Sequence, residues 1–498
     1  MTTLAGGTDT LTRNALAVLQ PGFEGTTAPD WVLRRLDEGL ASVGLFGRNI
    51  ASPEQLAALT ARLRAERDDI LVAVDEEGGD VTRLDVHTGS GFPGNRALGV
   101  VDDVALTRDV ARELGRRLAA CGVDFNWAPV ADVNTDPANP GIGVRSFGAD
   151  PALAARHVAA YVTGLQSAGV AACTKHFPGH GDTTVDSHHA LPRVDVSADL
   201  LHSRELVPFR AAIEAGTQAV MTAHILVPAL DADRPATLSG RILTELLRGG
   251  LGYTGLIVTD GMDMQAIAAT YGMERGTVLA IAAGADAICA GGGPSDEATV
   301  SRLRDALVAA VRSGELPEER LADAAERVRA TARWTAGAAR NEAGPAGEAP
   351  RDDIGLVAAR RALGVTRSGR YEPPVRAPYV ATFTPAMNIA VGDATPWGVA
   401  GELERLLPGT RTGSFSGAEA GPVALAAAGD RRIVAVVRDE HRHPWMTAAL
   451  DTLLAARPDT VVVEMGVPQA PPRGALHIAT HGAARVCGRA AAEIVVGG

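Results

Sequence analysis

Short apolar runs alternate with helical stretches over the first two-thirds of this 498-residue chain. The runs typical of strands are SVGLFG, ILVAVD, VDFNWAPV, VAACTKH, AVMTAHI, LIVTD and DAICAG. The stretches between them, such as DVARELGRRLAA and PFRAAIEAG, have the apolar spacing of amphipathic helices. This alternation predicts a parallel sheet whose strands are joined by crossover helices.

Polar side chains gather where these strands end. A (β/α)₈ barrel builds its active site from the loops that follow its strands, so this placement favours a TIM-type barrel over an open sheet. Only seven strand candidates are evident, and we therefore expect one further strand to be irregular. The polar strand-end residues are Arg48, Asn49, Asp75, Glu76, Asp132, Asn134, Lys175, His176, His224 and Asp260.

The last third of the chain has a second, smaller set of strands and helices. The runs YVATFT, RIVAVVRD, TVVVEMG and LHIATHG alternate with VAGELERLL and WMTAALDTLLAA, which predicts a three-layer α/β sandwich domain. The stretch TAGAARNEAGPAGEAPRDD before it is rich in Ala, Gly and charge and is typical of a linker. We expect a barrel over 1–335, a linker over 336–352 and the second domain over 353–498.

Composition narrows the classes of partner. A formal net charge of -12 and a pI near 5.5 argue against nucleic acid, whose phosphates attract clustered Lys and Arg. The sequence contains no run of eighteen apolar residues that would indicate a membrane span. It also contains no basic segment before an apolar core that would indicate a secretion signal, so a cytoplasmic location is expected. The four cysteines form no CxxC pair, and we expect buried thiols.

The segment CTKHFPGHGDTTVDSH, residues 173–188, holds three histidines within sixteen positions. Pro178, Gly179 and Gly181 are incompatible with a helix, so His176 and His180 do not form the i, i+4 metal pair of a helical zinc site. The segment instead predicts a loop from which side chains project one by one, following a strand that ends near His176.

Asp186 and His188, near the end of that segment, form a candidate acid–base pair. A carboxylate beside an imidazole selects its tautomer and raises its basicity, which suits proton transfer near neutral pH. The alternative is a solvated polar loop with incidental histidines, and the adjacent His189 leaves the choice open.

Asp260, which ends the run LIVTD, is the candidate nucleophile. A carboxylate at the end of a buried strand is costly to desolvate unless it has a task, and an aspartate carboxylate can act as a nucleophile. The alternative is that Asp260 caps the helix that follows Gly261, a role that Asp263 could share.

The segments VDEEGGDVTRL and NPGIGVRSFG add Asp75, Glu76, Arg83 and Arg145. Carboxylates and guanidinium groups together suit the dense hydroxyl and amide groups of a sugar. Each of them taken alone more often forms a surface ion pair.

With these segments the chain resembles glycoside hydrolase family 3, in its β-N-acetylglucosaminidase branch, over roughly residues 10–335. The resemblance rests on KHFPGHGDTTVDSH together with VDEEGGDVTRL, GVRSFG, MTAHI, PATLSGRILTELLR and LIVTDGMDM. It implies a retaining mechanism with Asp260 as nucleophile and with His188 as acid/base, assisted by Asp186. It also implies that the terminal sugar is held by Asp75, Arg83, Arg145, Lys175 and His176.

The chain departs from the family pattern at Asp80, where the family often has Arg, and at Gly261, where it often has Asp. The resemblance is weaker in the second domain, where His441 and His443 have no role that the sequence explains.

These features predict a retaining exo-β-N-acetylglucosaminidase that needs no metal or cofactor and removes terminal N-acetylglucosamine from chitin- or peptidoglycan-derived oligosaccharides. A phosphorylase or a broader β-glycosidase of the same fold is the alternative within this class. A metal-dependent hydrolase using His176, His180 and His188, and a non-catalytic sugar-binding protein, are the alternatives outside it.

Overall fold

The structure is a computed structural model that describes residues 9–183, 191–292, 296–341, 351, 353–385, 391 and 394–498. It divides into two compact units. The first contains the described residues of Met1–Glu76, Thr107–Val133 and Asp150–Pro350, and the second those of Glu77–Leu106, Asn134–Ala149 and Arg351–Gly498. None of the helices in these described stretches is both long enough and apolar enough to cross a membrane.

Eight parallel strands organise the described part of the first unit. Six pair in chain order from β2 to β7, and β1 pairs with β8. A bridge between Val258 and Ala287 links β7 to the residue before β8, and the Ser42 hydroxyl donates to the Leu19 carbonyl at 3.2 Å between β2 and β1. The strands are β1 (Leu19–Pro21), β2 (Ser42–Leu45), β3 (Leu71–Val74), β4 (Phe125–Asn126), β5 (Ala171–Phe177), β6 (Ala219–Thr222), β7 (Leu256–Thr259) and β8 (Ile288–Ala290).

This arrangement confirms the predicted (β/α)₈-type barrel. All seven predicted strands are present, and the strand that the sequence did not reveal is β1. It contains three residues and follows the first helix after the single residue Val18, so the run ALAVLQP reads as a continuous apolar stretch with no strand period of its own.

The helices begin where the sequence supplies capping groups. Ser52 and Asp150 each accept a hydrogen bond from a first-turn N–H, and each is followed by a proline, whose fixed φ suits the first helical position. The helices are α1 (Thr10–Ala17), α2 (Asp30–Glu38), α3 (Pro53–Glu66), α4 (Asn95–Val101), α5 (Val104–Ala120), α6 (Pro151–Ser167), α7 (Ala198–Leu200), α8 (Leu206–Glu214), α9 (Gln265–Ala268), α10 (Met273–Ala283), α11 (Glu297–Arg312), α12 (Glu318–Asn341), α13 (Ile354–Ala362), α14 (Ala400–Leu406), α15 (Ala420–Ala428), α16 (Pro444–Ala456) and α17 (Arg485–Val495), with π-helical stretches at Leu201–Glu205 and Arg241–Gly250.

Helix α12 extends further than the sequence indicated. It continues to Asn341, so residues 336–341, which were predicted as linker, are helical. The segment TAGAARN contains three alanines and one arginine, which are strong helix formers, and it lacks proline, so nothing in it stops the helix. The remaining predicted boundaries stay a prediction.

A six-stranded sheet forms the centre of the second unit, in the order β11, β10, β12, β13, β14, β9. Only β9 is antiparallel, at one edge. One face packs against α13, α14 and α17, and the other against α15 and α16, which confirms the three-layer α/β sandwich. The strands are β9 (Gly364–Arg367), β10 (Tyr379–Phe383), β11 (Arg411–Phe415), β12 (Ile433–Val437), β13 (Val461–Glu464) and β14 (Leu476–Ala479).

Two long stretches that follow barrel strands belong to the second unit rather than to the first. Residues 77–106 follow β3, and residues 134–149 follow β4. Their sequences adjoin barrel strands, and the predicted division at 335 therefore assigned them to the barrel. Arg83 and Arg145 lie in these stretches and are described within the second unit.

Candidate active site

A buried ion pair joins the end of β3 to β5. The Lys175 ammonium donates to Oδ1 of Asp75 at 2.5 Å, and the two side chains are 3% and 17% exposed. Strand β5 continues through His176 to Phe177, so Lys175 lies within the strand rather than after it. The pairing of β5 with β6 shifts register between Thr174 and Phe177, which makes this end of β5 irregular. Asp75 thus carries a carboxylate with a fixed cation beside it at the carboxyl end of the barrel.

His176 is oriented by Asp132, which the sequence analysis counted among the polar strand-end residues without giving it a specific role. Nδ1 of His176 donates to Oδ2 of Asp132 at 2.7 Å, while Oδ1 accepts the backbone N–H groups of His176 at 3.2 Å and of His180 at 2.7 Å. Burial alone would raise the pKa of the Asp132 carboxyl, but the histidines and these hydrogen bonds hold that pKa below its ordinary value. Nε2 of His176 has no partner among the described residues and can bind a ligand hydroxyl.

The start of the loop after β5 is held by further contacts. Nδ1 of His180 is 2.8 Å from the Thr183 hydroxyl, and Arg204 donates to Asp182 at 2.6 Å and to Glu205 at 2.5 Å. The structure describes no group of three or more His, Cys, Asp or Glu side chains that could hold a metal ion.

Glu205 lies fully buried beneath this loop. A Cβ on Gly179 would come within 2.9 Å of the Glu205 side chain, and Gly179 has a φ of +130°, so a larger residue cannot occupy that position without strain. Burial raises the pKa of the Glu205 carboxyl to about 7; Arg204 opposes this rise, while Asp132 and Asp182 add to it.

Asp260 follows β7 and does not cap a helix. Its Oδ1 accepts the N–H of Gly261 at 2.8 Å, and α9 starts after Met264 with no side-chain cap. The capping alternative for Asp260 and Asp263 is therefore wrong. Nε2 of His224 donates to the Gly261 carbonyl at 2.9 Å and fixes the backbone beside Asp260. MTAHI was recognised as a motif, but nothing in its pattern pointed to this contact.

Two buried thiols of the barrel are influenced by the charged side chains at the strand ends. Burial raises the pKa of Cys173, and Lys175, Asp75 and Asp260 all act on it; burial also raises the pKa of Cys289, with Asp260 and Asp75 again among the causes. Asp260 and the Asp75–Lys175 pair therefore act electrostatically on the same buried thiol, Cys173. The expectation of buried thiols is confirmed for Cys121, Cys173, Cys289 and Cys487.

Arg145 makes a buried, two-pronged ion pair in the second unit. Its Nε and Nη2 donate to the two oxygens of Glu77 at 2.9 and 2.6 Å, and Nη1 donates to the Gly141 carbonyl at 2.9 Å. The alternative of a surface ion pair is therefore wrong for Arg145, because both side chains are at most 8% exposed. Arg83 is partly buried, and its Nη1 lies 3.4 Å from the Thr82 carbonyl.

Asp80, one of the two departures from the family pattern, is also buried in the second unit. It forms an ion pair with Arg438, and its Oδ1 accepts the N–H of Ala483 at 2.6 Å. The acidic side chain thus ties the stretch after β3 to the sandwich around β12 and α17.

The proposed acid–base pair falls outside the described residues. Asp186, His188 and the neighbouring His189 all lie in 184–190. The described site therefore consists of the barrel groups Asp260, Asp75, Lys175, His176 and Asp132. Asp260 supplies a half-buried carboxylate, Asp75 and Lys175 supply an ion pair, and His176 supplies an oriented imidazole. Polar groups of these kinds suit a neutral ligand with many hydroxyl groups.

Comparison with known proteins identifies the group to which this site belongs. Residues 26–331 match the glycosyl hydrolase family 3 N-terminal domain. A β-hexosaminidase of Alkalilimnicola ehrlichii is 39% identical over 280 residues, 55% of this chain and 80% of its own. Beta-hexosaminidase A of Pseudoalteromonas piscicida is 36% identical over 309 residues, 57% of this chain, and the chain spans about half, 52%, of that relative.

Solved structures agree with the sequence comparisons. A glycoside hydrolase family 3 β-N-acetylglucosaminidase from Paenibacillus sp. is similar over 98% of this chain and 97% of its own, with a TM-score of 0.86 and 33% identity. A β-N-acetylhexosaminidase from Beutenbergia cavernae is similar over 66% of this chain and all of its own, with a TM-score of 0.59 and 32% identity. The first similarity extends through both units.

Proposed function

Because the chain belongs to glycosyl hydrolase family 3, we propose that it is a retaining exo-β-N-acetylglucosaminidase that acts through a covalent glycosyl-aspartate. The observation that carries the proposal is the placement of Asp260, Asp75 and Lys175 at the carboxyl ends of the barrel strands β7, β3 and β5, where Lys175 is paired with Asp75. It brings a nucleophilic carboxylate to the same strand ends as polar groups that bind hydroxyls. The named relatives are β-hexosaminidases, which supports N-acetylhexosaminides as the substrate class.

Asp260 is proposed to attack the anomeric carbon. The hydrogen bond from Gly261 N–H holds one carboxylate oxygen, and His224 fixes the carbonyl of the same Gly261. This contact orients the carboxylate without neutralising it, which a nucleophile requires. The bond from the anomeric carbon to the leaving oxygen breaks as the bond to Asp260 forms, and water later displaces Asp260.

His188 is proposed to supply the proton to the leaving oxygen and then to take one from the attacking water. The assignment of His188, and of Asp186 as its orienting partner, rests on the sequence KHFPGHGDTTVDSH. An imidazole suits this role beside Asp260 because, unlike a second carboxylate, it does not repel the nucleophile when both are deprotonated. Proton transfer by a positioned side chain typically contributes about 10²- to 10⁴-fold to the rate.

The terminal sugar is proposed to be held by Asp75, Lys175 and His176, and the sequence motifs suggest the same role for Arg83 and Arg145. The Asp75 carboxylate and Nε2 of His176 suit sugar hydroxyls. Arg145 is rigid because three of its nitrogens already donate to Glu77 and Gly141. A site that encloses one terminal residue gives exo action on chitin- or peptidoglycan-derived oligosaccharides.

The proposed cellular location and partners rest on the cysteines and on the net charge. The free, buried thiols suit a reducing compartment, so we place the protein in the cytoplasm. Its partner is a small carbohydrate, and the net charge of -12 argues against nucleic acid. Catalysis is proposed to need neither a metal nor a cofactor.

The test is release of 4-nitrophenol from the N-acetyl-β-D-glucosaminide and from the plain β-glucoside, with and without EDTA. Wild type should prefer the N-acetyl substrate and tolerate EDTA. Asp260→Ala should lose activity on the order of 10⁴-fold because the covalent route is removed. Azide should restore part of that activity as the α-glycosyl azide, since it enters from the face that Asp260 occupied.

Asp233→Asn is the matched control, because Asp233 is an exposed aspartate of the same unit and should leave activity within about twofold. Full activity in Asp260→Ala would reject Asp260 as nucleophile. No turnover by wild type in water would reject the hydrolase, and turnover only with added phosphate would identify a phosphorylase.

A further inference from the structure

Arg96 is a largely buried cation in the second unit with no acidic partner among the described residues. Its Nε is inaccessible to solvent and makes no hydrogen bond there. Burial lowers the pKa of the guanidinium, and no described carboxylate offsets that effect. Withdrawing a guanidinium from water without an acidic partner is unfavourable, so a counter-charge from another source would stabilise Arg96.

Two other arginines of the same unit form ion pairs with acidic side chains. Arg145 is paired with Glu77, and Arg438 is paired with Asp80. Both acids lie in the same stretch of chain as Arg96, residues 77–106, yet neither is paired with it. Arg96 is less completely buried than these two, and it differs from them in having no acidic partner among the described residues.

A small cavity lies beside Arg96. Its volume is about 70 Å³, and besides Arg96 its walls include Asn134, Thr135, Gly143 and Gly148. A water molecule takes about 30 Å³ of the liquid, so the cavity has room for a small ion. All of these residues belong to the second unit, and none of them was assigned a role in the reaction.

A second polar atom in the cavity wall also lacks a partner. The hydroxyl of Thr135 is inaccessible to solvent and makes no hydrogen bond among the described residues. The amide of Asn134, in contrast, is used, because it accepts from Gly143 N–H and donates to the Asp136 carbonyl. The cavity is therefore lined by one guanidinium and one hydroxyl for which the described residues supply no acceptor.

His481 adds no charge to this site. Burial lowers the pKa of its imidazole to about 4, and the positive charge of Arg96 contributes to that decrease. Its Nδ1 is also buried without a described partner. The imidazole stays neutral at physiological pH, so Arg96 is the local positive charge that an anion would meet.

We propose that Arg96 and Thr135 form a binding site for a small oxyanion, either a carboxylate or a phosphate group. The planar guanidinium can donate two parallel hydrogen bonds to such a group, and the Thr135 hydroxyl can donate a third. The anion supplies the counter-charge that the described residues do not. This site lies outside the proposed catalytic groups and does not depend on the proposed reaction.

The experiment measures thermal unfolding of the full chain during titration with inorganic phosphate or acetate, with chloride keeping ionic strength constant. An anion that binds only the folded chain raises the midpoint with its concentration. Wild type should respond to at least one of the two anions. The response identifies the group: acetate indicates a carboxylate, phosphate indicates a phosphoryl group, and a response to both supports a general oxyanion site.

Two variants test the residues. Arg96→Met should weaken anion binding about tenfold or more, and Thr135→Val should weaken it less, because it removes one neutral donor. Arg405→Met is the matched control, since Arg405 is an exposed arginine of the same unit and its loss should leave the response unchanged. An Arg96→Met protein that responds as wild type does would overturn the proposal.

Stability without added anion separates this proposal from a structural role. An uncompensated buried cation destabilises the chain, so Arg96→Met should unfold at the same temperature as wild type or higher in chloride alone. A lower midpoint in Arg96→Met under those conditions would mean that Arg96 supports the fold. Failure of wild type to respond to either anion would also reject the site.

Discussion

The sheets of the two units differ in the hydrogen-bond partners of the acidic groups at their strand ends. In the first unit, Asp75 bonds to the side chain of Lys175, and Asp132 bonds to the side chain of His176 in addition to two backbone N–H groups. In the second unit, Glu464 at the end of β13 accepts three backbone N–H groups, at 2.6, 2.9 and 3.1 Å. Side-chain partners leave polar atoms that a ligand can reach, whereas backbone partners close the site and hold the chain together.

The strand ends at Asp75 and Asp132 are therefore suited to binding a ligand, whereas the strand end at Glu464 is suited to stabilising the fold. Lys175 and Glu464 are both nearly inaccessible to solvent, so burial does not distinguish them. What distinguishes them is whether the partner is a side chain or the main chain. The comparison holds if replacing Lys175 impairs turnover, and if replacing Glu464 impairs stability.

The largest effect is expected for Lys175→Met. Removing the ammonium leaves the Asp75 carboxylate beside the proposed sugar site without its cation, and we expect kcat/KM to fall about 10³-fold. The measurement is the steady-state rate on the N-acetylglucosaminide, normalised to the folded fraction from circular dichroism. If a normalised rate within threefold of wild type were found, Lys175 would be structural and the comparison would fail.

Replacing Glu464 of the second unit with methionine should lower stability rather than the rate of turnover. Glu464→Met leaves the N–H groups of Asp439, Glu440 and Gly466 without their acceptor, which should cost about 3 kcal/mol in the free energy of unfolding. Urea denaturation measures the loss. The normalised rate should stay within about twofold of wild type, and a larger loss of rate would link this strand end to catalysis.

The smallest expected effect concerns Glu205, whose pKa is raised to about 7 from an ordinary 4.5. The folded chain holds this proton more tightly than the unfolded chain does, so Glu205 favours folding below pH 4.5, and this contribution is lost as pH rises to about 7. Between pH 5 and pH 8, the free energy of unfolding should therefore fall by about 2 kcal/mol less in Glu205→Gln than in wild type.

Urea denaturation at pH 5 and pH 8 tests this expectation in wild type and Glu205→Gln. Part of the decrease should remain in the variant, because Glu464 also has a pKa raised to about 7, chiefly by burial. An identical decrease in both proteins would show that Glu205 does not titrate in this range. Asp233→Asn serves as the control, since Asp233 is an exposed aspartate of the same unit and is not among the charges that act on Glu205.

Much of the architecture follows from local sequence patterns. The alternation of apolar runs and amphipathic stretches predicted both domains because the period of a strand or helix is visible within a short window. Strand-end positions predicted Asp75, Lys175, His176 and Asp260 as site residues because the loops after barrel strands meet at one end. The motif residues Asp186 and His188 were found from sequence alone and stay a prediction.

Contacts between distant residues depended on the tertiary structure. Asp75 pairs with Lys175 across 100 positions, and Asp132 pairs with His176 across 44, through the registers of the strands that carry them. The burial of Glu205 beneath Gly179 depends likewise on how helices and loops pack. Such partners leave no local period, because their proximity arises only when separate elements come together. The sequence determined which groups are present and on which elements they lie, and the tertiary structure decided which of them meet.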